Sequence, residues 1–256
     1  MTHHFDPAPL AAICGIAVAD LGIELISHQV DGIEYENVLL FNKKQTAPVA
    51  GVLSVPNYFG ISQSTLEVVV TTTGLTRPVF VADAYGKTVR PTNADEALAA
   101  IIPLKQDRAE LRKRMNAALA AFKAQDKVKL NDKMGICGFC FGGTAVLELA
   151  RAGAAVDAIV TLHGALDTPN PEDGKNIKGA VLILHGAQDP SVPLAQVEAF
   201  MNEVNAAKID WQMISYGQAA HSFTDPEANN PGYYYHKPTA QRATMALKNF
   251  FAEKLG

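Results

Sequence analysis

The chain has 256 residues, of which 48% are hydrophobic and 19% charged, and its formal net charge is −4. A charged share below the usual value of about 25%, beside so many apolar residues, excludes a disordered, collagen-like or coiled-coil protein. The weak acidity leaves no electrostatic footprint for nucleic acid or a membrane surface, and neither is expected as a partner.

In chain order, His3 and His4 precede an apolar run over residues 10–19. No Lys or Arg stands before that run, so it lacks the basic region of a signal peptide. It is also too short to span a bilayer. It is read as a buried N-terminal segment, with the two histidines at the surface. Residues 23–41 divide around Asp31-Gly32, a turn dipeptide, and predict two strands forming an antiparallel edge. The run 49–55 predicts a strand between Pro48 and Pro56. A helix over 63–73 and a strand over 78–82 follow. Residues 104–128 read as one charge-dense helix, its apolar side marked by Leu111, Met115, Ala118, Leu119 and Phe122 at helical spacing.

The second half alternates more regularly. Strands are expected over 133–139, 156–162, 180–184 and 210–216, and helices over 144–152, 194–206 and 240–254. Short, wholly apolar strands separated by helices indicate an α/β protein with a mostly parallel central sheet and helices on both faces. No long Pro/Gly/Ser linker interrupts the chain, so residues 1–256 are expected to form a single domain. The three cysteines, Cys14, Cys137 and Cys140, are too few and odd in number for a disulfide framework. A reducing, cytoplasmic setting is expected.

One stretch carries chemistry. Gly138-Phe139-Cys140-Phe141-Gly142-Gly143 lies between an apolar strand and a helix. That is the context of a nucleophile elbow, in which a nucleophile flanked by glycines is exposed on a sharp strand-to-helix turn. A helix N-terminus favours a thiolate, and the amide of Phe141 is placed to donate to an oxyanion. Two other readings stand beside it: a buried strand cysteine before a glycine turn, and a redox pair, since Cys137 and Cys140 also form C-x-x-C.

The acid and base of such a site follow the nucleophile in that order. Asp189 lies just past the strand 180–184, in a loop stiffened by Pro190 and Pro193. It reads equally as a turn residue. His221 and His236 are the histidines beyond it. His221 follows the last strand, where a base is expected. His236 looks like a rim residue, and His163 and His185, which end strands upstream, read as structural. No short-spaced His/Cys/Asp cluster suggests a metal site, and no cofactor is expected.

These residues resemble the dienelactone hydrolase family of the α/β-hydrolase fold. The resemblance rests on GFCFGG at 138–143, HGAQDPSVP at 185–193 and AHSF at 220–223, with VPNYFG at 55–60 and VADAYG at 81–86. It implies a cysteine hydrolase of esters or lactones, with Cys140 as nucleophile, His221 as base and Asp189 orienting it. The oxyanion would rest on the backbone amides of Phe141 and Tyr58. Asn57, Tyr85 and Phe223 are candidate pocket residues. The expected partner is a small-molecule ester or lactone. An altered scaffold with a binding or regulatory role is the alternative. Two positions depart from the family pattern. Asn57 stands where members commonly carry a Glu facing the resting cysteine. Thr224-Asp225-Pro226 stands where the chlorocatechol-pathway enzymes continue with a carboxylate-binding Arg.

Overall fold

A computed structural model describes residues 4–256. The chain packs as two compact units, with the division between Lys133 and Met134. His3 lies outside the described residues, and His4 is exposed.

The first unit opens with helix α1 (Pro7–Cys14), started by the Asp6 side chain accepting from the Ala8 amide and ended by Gly15 at φ 65°. Strands β1 (Leu21–Val30) and β2 (Ile33–Asn42) pair antiparallel across Asp31-Gly32. Both turn residues have positive φ, 50° and 80°, as a two-residue hairpin turn of this hand requires. β3 (Val49–Val55) leads to α2 (Gln63–Thr73), whose first turn is closed by a Ser62–Thr65 capping box. β4 (Val79–Val81) follows, then α3 (Ala94–Gln106) and α4 (Arg108–Ala124). The strand order in this unit is β1-β2-β4-β3. β2 meets β4 antiparallel and β3 meets β4 parallel, so the expected antiparallel N-terminal edge is present.

Two expectations for this unit need correction. The apolar run 10–19 is not a buried segment: only Leu10 and Ala11 are buried, and Val18 is 47% exposed. A short helix buries one turn and leaves the rest outside. The single charged helix over 104–128 is two helices. Asp107, at φ −111° and ψ 88°, ends α3, and its side chain caps α4 by accepting from the Glu110 amide at 2.9 Å. An Asp offering its own side chain to the backbone favours a cap over a helix interior.

The chain crosses into the second unit within β5 (Leu130–Phe139) and continues through α5 (Phe141–Arg151), β6 (Ala158–Leu162), β7 (Ala180–Gly186), α6 (Leu194–Ala206) and β8 (Trp211–Tyr216). A two-residue hairpin, β9 (Asn229–Asn230) and β10 (Tyr233–Tyr234), precedes the long α7 (Lys237–Leu255). β5, β6, β7 and β8 lie side by side in that order, all parallel. Every residue of β6 and β7 is buried. Successive strand side chains point to opposite faces, so both faces of this sheet are covered. α5 packs on β6, and α7 packs on β6 and β7. This is the α/β-hydrolase arrangement, a mostly parallel sheet with helices. The start of α5 falls three residues before the expected one, because the paired glycines lie inside its first turn rather than ahead of it. No helix of the described residues is long and apolar enough to cross a membrane.

Candidate active site

Parallel strands bring their carboxyl ends to one edge of a sheet, where loops collect functional groups. In the second unit, β5, β6, β7 and β8 are followed by Cys140, His163, Asp189 and His221 respectively.

Cys140 stands between β5 and α5 at φ 55° and ψ −118°. A non-glycine residue held there stores about 1–3 kcal/mol of backbone strain. The glycines make the turn possible by close approach. A Cβ at Gly138 would collide with the backbone of Gly142, and one at Gly143 would meet Thr161 Oγ1 and the Gly164 Cα. The Cys140 amide donates to the Leu162 carbonyl at 3.0 Å and to His163 Nδ1 at 3.2 Å. Phe141 begins α5, where the amides of the first turn point out past the helix end.

Asp189 makes both the turn contacts and a contact to His221. Its amide donates to the Gly186 carbonyl in a turn, and its Oδ1 accepts from the Ser191 amide at 2.8 Å. Its Oδ2 lies 2.8 Å from His221 Nδ1. His221 Nε2 in turn lies 3.0 Å from Cys140 Sγ. The three residues singled out in the sequence therefore form one hydrogen-bonded chain.

The hairpin after β8 fixes the histidine. The His221 amide donates to the Gly232 carbonyl at 3.0 Å, and its carbonyl accepts from the Tyr234 amide at 3.1 Å. The Tyr233 ring stands 5.2 Å from the His221 ring, and Tyr233 Oη lies 2.7 Å from Ser191 Oγ. Tyr233 thus spans the loops that carry Asp189 and His221. Nothing in the tyrosine run 233–235 distinguished it. His236 is half-buried and lies 2.7 Å from Thr239 Oγ1 at the start of α7.

Burial opposes the charged form of His221, but hydrogen bonds to Asp189 and Cys140, and the charges on both, prevail and push its pKa up to about 10. The linked stability follows in sign. The contribution is fully present below the ordinary value of 6.5 and fades as pH rises through about 10. We expect the His221 ring signals to titrate with a midpoint near 10 in NMR spectra, and Asp189→Asn to bring the midpoint down. An unchanged midpoint in that variant would remove Asp189 from the account.

Two histidines read as structural are buried. His185 loses basicity to burial, only partly offset by Asp189. His163 lies 2.7 Å from Thr224 Oγ1 and 5.3 Å, ring to ring, from His221. Phe223 is fully buried, its ring edge-on to His163 and Tyr216. It packs against His163 from within the core. Cys137 is fully buried in β5, without the exposed thiol of a redox pair.

The remaining sequence candidates belong to the first unit. Asn57 Oδ1 accepts from the Phe59 amide at 3.0 Å, shaping the turn after β3. The Tyr58 carbonyl accepts from Tyr85 Oη at 2.9 Å, and Tyr85 is buried. Among the described residues, no group of three or more His, Cys, Asp or Glu side chains could hold a metal ion.

The sequence profile of the dienelactone hydrolase family matches residues 37–255. An uncharacterized protein of Caenorhabditis elegans is 34% identical over 56% of this chain and 94% of its own length. A carboxymethylenebutenolidase homolog of Homo sapiens is 30% identical over 36% of this chain, and the match spans only 37% of that protein. Two solved structures align with 93% of this chain and all of their own at a TM-score of 0.86. One is m3DLH, 34% identical. The other is the dienelactone hydrolase-like promiscuous phosphotriesterase P91 from metagenomic libraries, 33% identical.

Proposed function

This chain belongs to the dienelactone hydrolase family, and on that premise we propose that it hydrolyses carboxylic esters or lactones through Cys140. The observation that carries the proposal is the Asp189–His221–Cys140 chain of hydrogen bonds, at 2.8 and 3.0 Å, ending on a strained elbow residue.

The His221 imidazolium stands against the Cys140 sulfur, and Asp189 holds it in that orientation. The thiolate attacks the ester carbonyl carbon, forming a C–S bond, and the carbonyl oxygen takes the negative charge. Amides fixed before the reaction are the cheapest way to stabilise that oxygen, because no dipole has to reorient. We assign this to the Phe141 amide. The C–O bond to the leaving group then breaks, and His221 delivers its proton to the departing alkoxide. His221, now neutral, takes a proton from water, whose oxygen attacks the thioester. The carboxylic acid departs and the thiolate returns. Asn57 offers no carboxylate to activate the thiol, so this work falls to His221. The mechanism uses side chains and backbone alone. We take residues 1–256 to act as one α/β-hydrolase domain, which is supported by alignment of 93% of the chain with single solved chains. The cytoplasm, where a nucleophilic thiol stays reduced, is the compartment we assign.

The test is an acyl-enzyme. With a p-nitrophenyl ester of a slowly released acid, quenched protein should gain the mass of one acyl group, on the peptide that contains Cys140, and hydroxylamine should remove it. Turnover with the acyl group on a different residue would overturn the proposal.

A further inference from the structure

His163 does more than fill space. The register of β5 with β6 pairs Phe139 with Leu162 and so sets Cys140 beside His163. His163 has φ 41°, an uncommon value for a residue with a side chain. That backbone turn accompanies a ring whose two nitrogens are both engaged. Nδ1 accepts from the Cys140 amide, so it carries no proton. The proton of the neutral ring is therefore on Nε2, which faces Thr224 Oγ1 at 2.7 Å. Thr224 lies three residues beyond His221, in the same loop.

We propose that His163 is a positioning residue for the nucleophile: a neutral imidazole tying the Cys140 amide to Thr224, and through it to the loop that carries His221. The inference rests on Cys140 acting as the nucleophile. Its physical content is a fixed span. Two groups at the end of β6, the Leu162 carbonyl and His163 Nδ1, share the Cys140 amide and hold the elbow in its strained form. The opposite side of the same ring holds the base's loop. The Sγ–Nε2 separation of 3.0 Å is thereby set from behind. The ring must stay uncharged to accept from an amide. Burial, and then the charge on His221, keep its pKa well below the ordinary value. The ring is buried and stands edge-on to Phe223 at 4.9 Å.

Four variants test this. His163→Phe keeps a ring and loses the acceptor. His163→Asn keeps an acceptor near the Nδ1 position, and Asn tolerates positive φ. Thr224→Val removes the oxygen facing Nε2, and Thr224→Ser retains it. We expect His163→Phe to lower kcat about 100-fold with little change in KM, as for misplacement by about an ångström. The His221 titration midpoint should fall, and iodoacetamide alkylation of Cys140 should slow at pH 7. His163→Asn should recover part of all three losses. Thr224→Val should move them in the same direction, and Thr224→Ser should leave them near the wild-type values. A folded His163→Phe variant with wild-type kcat and His221 midpoint would overturn the proposal. If that variant does not fold, equal kcat and midpoint in Thr224→Val and Thr224→Ser would overturn it. The midpoint and the alkylation rate need no substrate. They read the Cys140–His221 pairing even if the acyl group is found elsewhere, so failure of the hydrolase reading remains distinguishable.

Discussion

Cys140→Ala is expected to lower kcat/KM for an activated aryl ester by at least about 10⁴-fold and to abolish the acyl-enzyme burst. The size follows from the chemistry assigned to the sulfur. Without it no thioester forms, and hydrolysis must proceed by direct attack of water with only the oxyanion donors and ordinary binding to help. The substitution is small, and Cys140 is a half-buried residue whose own amide bonds to Leu162 and His163 survive the change. Loss of turnover should therefore come without loss of fold, checked by an unchanged melting curve. Cys140→Ser separates geometry from chemistry further. A hydroxyl keeps the position but does not form an ion pair with an imidazolium at neutral pH, so turnover should be far below wild type. Acylation of the serine should be slow, with an oxygen ester resistant to mild hydroxylamine. An Ala variant that still turns over the ester above background would end the assignment of Cys140. Equal inactivity of wild type and variant across an ester and lactone panel would favour the binding-scaffold alternative.

Much of the site was legible in the sequence because its logic is one of chain order. An elbow cysteine, an aspartate after the next-but-one strand and a histidine after the last strand are each weak signals. Together they define a site, and the geometry brings these three side chains together. The helices over 63–73 and 194–206 and the strand over 49–55 were legible to the residue: Pro, Ser or Gly flanks both ends of 63–73 and 49–55, and Pro193 marks the start of 194–206. His163 and Thr224 were not legible as parts of the site. Their link depends on which residue of β6 lies beside Phe139, and strand register is not written in either strand alone. Tyr233 was hidden for a similar reason, because its neighbours Ser191 and His221 are 42 and 12 positions away along the chain. The break at Asp107 is not legible in the apolar spacing, which runs on through it; the Asp107 backbone and its side-chain cap mark it. The requirement that the candidate acid, base and nucleophile meet constrains residues 140–221, all in the second unit. It does not reach back to the strand at 49–55.

Arg151→Met is expected to destabilise the second unit more than any change at its surface. α5 runs from the candidate nucleophile to Arg151, and its far end is held by a buried ion cluster as well as by the buried Leu147, Leu149 and Ala150. All five N–H groups of the guanidinium are used. Nε and Nη2 form a fork on Glu203 at 2.8 and 2.7 Å, Nη1 meets Glu148 at 2.9 Å, and the remaining donors reach the carbonyls of Leu166 and Asp167 at 2.9 and 3.2 Å. The three side chains are 0–1% exposed. Methionine matches the length and apolar character of the arginine stem but leaves two carboxylates without their cation in a place that water does not reach. Breaking such a cluster from one side costs about 3–5 kcal/mol. At about 2–4 °C per kcal/mol for a chain of this size, the melting temperature should fall by about 6–20 °C. Arg151→Lys should fall between the two, because an ammonium cannot reproduce the fork. The decisive comparison is Arg151→Met combined with Glu148→Leu and Glu203→Leu. With no charge left buried, the triple variant should recover much of what the single variant loses, since hydrophobic replacements of whole buried ion clusters are often tolerated. A single variant melting within about 2 °C of wild type would show that water or neighbouring groups already satisfy the two glutamates. A triple variant worse than the single would show that the cluster contributes net stability beyond cancelling its own desolvation. At temperatures where the single variant stays folded, its kcat should match wild type, because Arg151 touches neither Cys140 nor His221 and acts only by anchoring the helix that Cys140 begins.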